Sequence, residues 1–458
     1  MKTGTIAAIS TALSPSGIGI VRMSGEESFS IIEKVFERNN KQFIVENVDS
    51  HTVHHGMIVD NHEIIDEVLV VILKQPNTFT KEDTVEINCH GGVYVVKRVL
   101  ECLLKAGAQM AEPGEFTKRA FLNGRLDLMQ AESVIDLIHS SNEFARKSSI
   151  AQLNGVVSKH IKQMRQEVLH EIAFIESALD DPEHISLEGY PEELRKKVKM
   201  ILINLAEMIK SSDNGRILKE GIQTVIIGKP NVGKSSLLNI LMGQDRAIVT
   251  EIAGTTRDVL EAQINLGGIT LNIVDTAGIR ETNDVIEQIG VKKSKEYLAS
   301  ADLIIYIIDG SISLDENDHE IISMIRDKKV IVLVNKSDLS QAVQIGSLYE
   351  IMDFPIISVS VKEMEGLNEL EGKIKDLFFN GELTSNMEEV ITNMRQKESL
   401  VHAYDSLLQV EISIENQMPE DFFSIDLRSA CDCLGEITGE SVGDDLVNEI
   451  FSKFCMGK

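Results

Sequence analysis

Residues Gly228-Lys229-Pro230-Asn231-Val232-Gly233-Lys234-Ser235 fit the pattern G-x-x-x-x-G-K-[ST], a pattern suited to holding phosphate. Its glycines let backbone N–H groups turn towards phosphate oxygens. Lys234 has the reach for the β- and γ-phosphates, and Ser235 offers a hydroxyl to Mg²⁺. Nucleotide contacts are expected from Asn231, Val232, Gly233, Lys234, Ser235 and Ser236. Asn335-Lys336-Ser337-Asp338 then selects the base. A carboxylate at Asp338 accepts from both N1–H and the exocyclic amine of guanine; adenine has no donor at N1 and would leave it unpaired. Asn335 and Lys336 are expected to shape that loop and cover the base, with Ser360, Val361 and Lys362 alongside.

Between these motifs lie two stretches that would sense the γ-phosphate. In Thr250-Glu251-Ile252-Ala253-Gly254-Thr255-Thr256, the Thr256 hydroxyl is the second hard-oxygen ligand for Mg²⁺. In Asp275-Thr276-Ala277-Gly278, Asp275 reaches Mg²⁺ through water and the Gly278 N–H meets the γ-phosphate. The next residue, Ile279, cannot orient a water molecule. Arg257 and Arg280 are open to two readings, arginine finger or solvated surface residue.

The elements that position these groups are legible in outline. Apolar runs at Val225–Ile227, Thr270–Val274 and Val330–Val334 predict strands ahead of each motif, and Ser236–Leu241 predicts a helix after the phosphate loop. Residues 216–380 thus alternate strand and helix, as a doubly wound α/β domain does. Before it, residues 1–118 predict an α+β domain. Its strands are Thr5–Ile9, Gly19–Met23, Val68–Leu73 and Thr84–Ile87. Its helices are Glu26–Phe36, opened by a capping box of Ser24 and Glu27, and Val93–Lys105. From about Phe116 the pattern turns helical. Val157, Ile161, Met164, Val168, Ile172, Ile175 and Leu179 form one apolar stripe, which Asp181-Pro182 ends; a charged helix from Glu192 to Ser211 follows. Helical patterning returns after Gly381, where Val401, Tyr404 and Leu408 share a face. Helices on both sides of an α/β domain predict an inserted domain with its flanking segments, 119–215 and 381–458, in one bundle.

Composition sets limits. A net charge of −27 argues against a protein that coats nucleic acid, so any RNA contact needs a local basic patch or a partner. Lys118, Arg119 and Arg195-Lys196-Lys197 are the basic clusters available, with a solvated face as the plain reading of each. Five cysteines without a CxxC pair predict a reducing compartment with neither disulfide framework nor zinc site; Cys431 and Cys433 read as core or incidental thiols. No apolar run reaches ~18 residues and no signal peptide opens the chain, which predicts a cytoplasmic protein without a membrane segment.

Taken together, the chain closely resembles the MnmE (TrmE) family of tRNA-modifying GTPases. The resemblance is carried by the nucleotide motifs, Gly17–Gly25, Glu82–Ile87, Glu112–Asn123 and the terminal Phe454-Cys455-Met456-Gly457-Lys458. It implies three parts: an N-terminal folate-binding and dimerising domain (1–118), a discontinuous helical domain (119–215 and 381–458) and an inserted P-loop G domain (216–380). It also implies a homodimer through the N-terminal domain and a heterotetramer with an MnmG-type flavoprotein carrying FAD. Their product would be a carboxymethylaminomethyl or aminomethyl group at carbon 5 of the wobble uridine of tRNA. A reduced folate, 5-formyl- or methylene-tetrahydrofolate, would supply the one-carbon unit. Arg22, Glu86, Arg125 and Lys458 would bind it; family members often have lysine at the position of Arg125, which keeps charge but changes geometry. Cys89 and Leu13-Ser14-Pro15-Ser16 depart from the family's glycine-rich forms.

By the same resemblance, K⁺ replaces an arginine finger, held by Asn231, Thr250, Ile252 and Thr255, and Glu287 orients the attacking water. Glu287 and Lys234 are then the catalytic residues. Cys455 reads first as a small apolar residue docking the tail and second as a nucleophile, because no histidine or other base is identifiable near it in sequence. The alternative from another class is a non-enzymatic GTPase switch in ribosome assembly. Such a switch would carry an RNA-binding module after the G domain, where this chain instead predicts helices.

Overall fold

In the N-terminal segment, alternating apolar residues close one face of a sheet over two helices. Its strands are β1 (Ile6–Ile9), β2 (Ser16–Ser24), β3 (Phe36–Arg38), β4 (Lys41–Gln42), β5 (Thr52–Asp60), β6 (Glu63–Leu73), β7 (Thr84–Gly91) and β8 (Gln109–Met110). They form one eight-stranded sheet in the order β4-β3-β5-β6-β7-β2-β1-β8, antiparallel except for the β1–β8 pair. Helices α1 (Ser28–Val35) and α2 (Val93–Ala106) supply Ile31, Ile32, Val99 and Leu103 to a core shared with Val21, Val70, Ile72, Val85 and Ile87. The computed structural model describes residues 4–39, 41–243, 262–274, 298, 301–379 and 391–457.

The other face of this sheet carries two cross-strand rows set by register. One runs Val53, Val71, Glu86, Arg22; the next runs His55, Leu69, Asn88, Ile20. On it Val53 is 58% exposed and Leu69 43% exposed, whereas Val68, Val70 and Ile72 on the helix side are buried. Strand β5 carries two histidines and a glycine, a polar mix that masked it in the sequence. It pairs with β6 through a two-residue turn in which Asn61 and His62 both have positive φ (49° and 69°), the geometry that suits strand twist.

Local expectations needed correction where long-range contacts intervened. Ser24 does not cap α1. It ends β2, and its hydroxyl lies 2.7 Å from Thr80 Oγ1 and donates to Glu82 Oε2 at 2.8 Å. Thr5 Oγ1 instead accepts from the Glu27 N–H at 2.9 Å, and Phe36 belongs to β3. After α3 (Glu115–Leu122), α4 (Leu128–Ile138) and α5 (Glu143–Leu153), the stripe of α6 (Val156–Asp180) holds through Ile175, but Leu179 is 48% exposed and Ala178 takes the inward position. The next helix, α7, extends beyond the expected bounds, from Tyr190 to Glu220. In the helix Met394–Glu415 the buried face is Leu400, Ala403, Leu407, Val410 and Ile414; Val401, Tyr404 and Leu408 are half-buried beside it.

The described chain divides into two compact units, one of Met1–Ile138, Gln152–Ile201 and His402–Lys458, the other of His139–Ala151 and Leu202–Val401. In the first, α6 packs along the helix Glu420–Thr438, where Arg165 pairs with Glu440 at 2.6 Å. The helix Asp444–Ser452 returns to α3 (Glu115–Leu122) through the rings of Phe451 and Phe121, whose centroids are 6.2 Å apart.

The second unit is built on β9 (Ile222–Ile227), β10 (Ala262–Leu266), β11 (Ile269–Val274), β12 (Leu303–Asp309), β13 (Val330–Asn335) and β14 (Ile356–Ser358). Their order is β10-β11-β9-β12-β13-β14, with only the β10–β11 pair antiparallel. Strand β12 is buried on both faces, as central parallel strands are. Leu303, Ile305 and Ile307 pack towards α8 (Lys234–Gly243) and the helix Leu367–Phe379, while Ile304, Tyr306 and Ile308 pack towards Glu316–Ile325. The ends of β9, β12 and β13 therefore open on one edge, where open parallel sheets bind ligands.

Phe451 is almost fully buried, and its ring stands 5.0 Å from that of Phe454. Phe451→Ala should cost about 3–5 kcal/mol of local stability. It should lower the thermal midpoint and speed carboxypeptidase cleavage of the last residues; an unchanged midpoint and cleavage rate would remove this ring's role in holding the tail.

Candidate functional site

The phosphate loop leaves β9 by a backbone path that side chains resist. Gly228, Asn231 and Gly233 have φ of 150°, 64° and 107°. A Cβ at Gly228 would lie 2.4 Å from the Ile307 carbonyl oxygen, and one at Gly233 would lie 2.3 Å from Asn335 Nδ2. The Lys234 ammonium donates to the carbonyls of Gly228 and Lys229, both at 2.7 Å. Asn231, Ser235 and Ser236 are exposed at the loop surface. The Val232 side chain is buried in the sheet core, which leaves its backbone for any contact expected of it.

Asn335 ends β13, and its buried carboxamide is used on both sides. Nδ2 donates to the Val232 carbonyl at 2.7 Å, and Oδ1 accepts from the Val361 N–H at 3.1 Å. It therefore ties the phosphate loop to the base loop, as its expected loop-shaping role requires. Lys336, at φ 67°, donates to Asp309 Oδ2 at 2.6 Å. Burial pushes the Asp309 carboxyl up, but hydrogen bonds from Lys336 and Ser311 outweigh it and hold the group below its ordinary value. Asp338 is exposed, and Ser360 Oγ fixes its orientation by donating to Oδ1 at 2.9 Å. Val361 is buried while Lys362 points outward beside Glu363.

Several expected site residues fall outside the described residues: Thr250, Glu251, Ile252, Ala253, Gly254, Thr255, Thr256, Arg257, Asp275, Thr276, Ala277, Gly278, Ile279, Arg280, Glu287 and Lys458.

A second cluster forms in the N-terminal unit. Arg22 and Glu86 face each other across β2 and β7, with the guanidinium Nε 2.8 Å from Glu86 Oε1. The Arg22 guanidinium carbon lies 6.0 Å from the Phe79 ring centroid and 5.8 Å from that of Phe116. Arg125 lies over Phe79 at 4.8 Å, so two of the four residues expected to bind folate, Arg22 and Arg125, share one ring, and a third, Glu86, is paired with Arg22. The C-terminal tail reaches the same place, since the Gly457 carbonyl accepts from Ser10 Oγ at 2.9 Å and Arg22 Nη1 at 3.4 Å.

The tail docks differently from the sequence reading. Phe454 is the buried anchor, while Cys455 is exposed and contributes its backbone carbonyl to the Gly114 N–H at 3.3 Å. Cys89 lies on the helix side of β7, away from Arg22, and burial pushes its thiol up to about 11. Among the described residues, no group of His, Cys, Asp and Glu side chains is arranged to hold a metal ion.

Comparison with known proteins now gives a frame for both clusters. The family model of the MnmE helical domain matches residues 128–455, and that of the GTP-binding protein TrmE N-terminus matches residues 5–125. The chain is 55% identical over 458 residues to the tRNA modification GTPase MnmE of Lachnoclostridium phytofermentans, covering 100% of each. It is 49% identical over 460 residues to the protein of that name from Acetivibrio thermocellus, again covering 100% of each. With the one from Clostridioides difficile the identity is 46% over 455 residues, 99% of each. The chain belongs to the MnmE family.

In this MnmE-family chain, four side chains of the basic clusters singled out from sequence are partnered within the fold. Arg119 is held by Glu82 at 3.1 Å, Glu115 at 2.8 Å and the Gly4 carbonyl at 2.9 Å. Lys118 donates to Asn448 at 2.6 Å and Lys197 to Glu171 at 2.9 Å, while Arg195 is paired with Glu411 and Glu415. Sequence reading missed Lys229, Tyr306, Asp309 and Asp318, which brace the nucleotide loops. Two signals were available for them: a tyrosine in an otherwise aliphatic strand, and an Asp-x-x-Asp spacing at Asp315 and Asp318.

Gly233→Ala should lower GDP affinity at least about tenfold, because both the positive φ and the Asn335 contact oppose a methyl group. Calorimetric titration checks this; affinity within twofold of the parent would show that the loop yields to a side chain.

Proposed function

We propose that this MnmE-family chain, a tRNA modification GTPase, is the GTP-hydrolysing subunit of a complex with an FAD-carrying, MnmG-type flavoprotein. The complex adds a carboxymethylaminomethyl or aminomethyl group at carbon 5 of the wobble uridine, with a reduced folate, 5-formyl- or methylene-tetrahydrofolate, as one-carbon donor. The observation that carries this reading is the gathering of Arg22 and Arg125 on Phe79, with Glu86 paired to Arg22, beside a docked tail, in a chain that also has a phosphate loop. The residues suit such a ligand. Phe79, half-buried, offers an apolar face to a flat ring, Glu86 accepts from ring N–H groups, and Arg125 and Lys458 suit the carboxylates of a glutamate tail. The bound folate would supply carbon at the formate level as the 5-formyl form or at the formaldehyde level as the methylene form.

In the nucleotide site, Asp338 reads guanine, Lys234 neutralises the β- and γ-phosphates, and Ser235 and Thr256 hold Mg²⁺ with Asp275 acting through water. Ser235 suits this role, being exposed in the first turn of α8. Asn231, with Thr250, Ile252 and Thr255, would hold a monovalent cation, K⁺, whose charge offsets that developing on the phosphates. Asn231 fits, standing exposed at the loop tip. Glu287 orients the water that attacks the γ-phosphate. The three-part division at 118, 215 and 380, the homodimer through the N-terminal domain, the heterotetramer with the flavoprotein and a cytoplasmic location belong to the same reading. The half-apolar outer face of the N-terminal sheet, with Val53 and Leu69 exposed, supports the homodimer. Among the described residues no helix is long and apolar enough to cross a membrane.

Removing the gene from its host should abolish the carbon-5 aminomethyl-type uridines of bulk tRNA, measured by nucleoside mass spectrometry. The parent gene should restore them and Asp275→Ala should not. Unchanged nucleosides with accumulated ribosomal precursors would replace this reading with a ribosome-assembly switch. Separately, Glu287→Ala should bind GDP as the parent does yet lose at least about tenfold in kcat; hydrolysis at the parent rate would remove Glu287 from the mechanism.

A further inference from the structure

The phosphate loop carries a second lysine that points away from the nucleotide side. Lys229 Nζ donates to Asp318 Oδ2 at 2.6 Å and to Asp315 Oδ2 at 2.9 Å. Asp318 is only 1% exposed, and its other oxygen accepts from the Tyr306 hydroxyl at 2.8 Å. The same carboxylate closes a capping box, taking the Asp315 N–H at 3.0 Å, while Asp315 Oδ1 accepts from the N–H groups of Asn317 and Asp318. A buried carboxylate is tolerated when each oxygen is satisfied, and breaking such a pair leaves an uncompensated charge. The hydrogen bond to Asp318 also holds the Lys229 ammonium above the usual lysine range.

What this lysine fixes is the backbone beneath Lys234. The carbonyls of Gly228 and Lys229 both accept from the Lys234 ammonium. The chain of contacts therefore runs from the sheet through Tyr306, Asp318 and Lys229 to the peptide groups that place the phosphate lysine. Strand β12 holds the base loop as well, because its last residue, Asp309, accepts from Lys336. One segment, 306–318, thus anchors one lysine from each nucleotide loop.

We propose that Lys229 and Asp318 are positioning residues for nucleotide binding: braced by Tyr306 and Asp315, they set the phosphate loop in its binding geometry. Neither touches nucleotide in this account; they act through the loop backbone and Lys234. A purely structural role for the pair would instead fix the helix Glu316–Ile325 to the sheet and leave the loop's affinity alone.

The test uses the full chain and compares the parent with Lys229→Met, Lys229→Arg, Asp318→Asn and Tyr306→Phe. It measures Kd for GDP by calorimetry, KM and kcat for GTP, and the thermal midpoint without nucleotide. Lys229→Met should raise both Kd and KM by about tenfold, with kcat at saturating GTP within about threefold of the parent. Lys229→Arg, whose fork can reach both carboxylates, should bring Kd back to within about threefold. Tyr306→Phe keeps the ring and removes one hydrogen bond, so it should show a smaller rise in Kd even if Asp318→Asn fails to fold. The proposal is overturned if Lys229→Met raises Kd by less than about threefold, or if Lys229→Arg is as impaired as Lys229→Met. It is equally overturned if Kd rises only in variants whose thermal midpoint has collapsed.

Discussion

The carboxamide of Asn335 has one strong donor side and one acceptor, and the protein commits both to main-chain partners more than twenty residues away in sequence. With Nδ2 on the Val232 carbonyl and Oδ1 on the Val361 N–H, it joins the phosphate loop, the end of β13 and the segment beyond β14. The groups are buried, so losing either bond would leave a peptide group unsatisfied at a cost of about 1–3 kcal/mol. Gly233 is glycine for the same reason: a methyl group there would occupy the place of Nδ2. The site's geometry therefore begins with an amide that has no catalytic task of its own.

Charge is organised on the same principle. The chain carries a net charge of −27, yet Arg22, Arg119, Arg195, Lys197, Lys229 and Lys336 are already paired with carboxylates. Lys229 and Lys336 serve the nucleotide loops from aspartate anchors, and Lys234 rests on two loop carbonyls. Exposed ion pairs are worth little, but those made with the buried carboxylates of Asp309 and Asp318 are screened less and hold a single geometry. An acidic protein that must receive a polyanionic nucleotide thus keeps its positive groups preplaced.

The N-terminal unit separates its two tasks by the two-residue period of a strand. On β7, Val85, Ile87 and Cys89 face the helices and build the core, while Glu86 and Asn88 face the other side. Arg22 meets Glu86 by register alone, and Phe79, Phe116 and the tail then close over that pair at one end of the sheet. The remainder of the outer face is left half-apolar, with Val53 and Leu69 in successive rows.

The sequence by itself determined whatever depends on neighbours along the chain. The glycine spacing of the phosphate loop is a local motif, the aliphatic runs of β9, β11 and β13 are local stretches of strand-forming residues, and the stripe of α6 follows the 3.6-residue period of a helix. It also pointed to Arg22, Glu86 and Arg125, through resemblance rather than through any local signal. Tertiary structure alone decided the pairings that span long stretches of chain. It gave Ser24 to Thr80 and Glu82 instead of a helix cap, and it moved tail docking from Cys455 to Phe454. It also turned Lys229 towards Asp318 and Arg119 into a nest of carboxylates. A hydroxyl, an ammonium or a guanidinium can satisfy itself equally well with many partners. Which one it takes is set by the packing that brings distant segments within about 3 Å, and no local pattern encodes that.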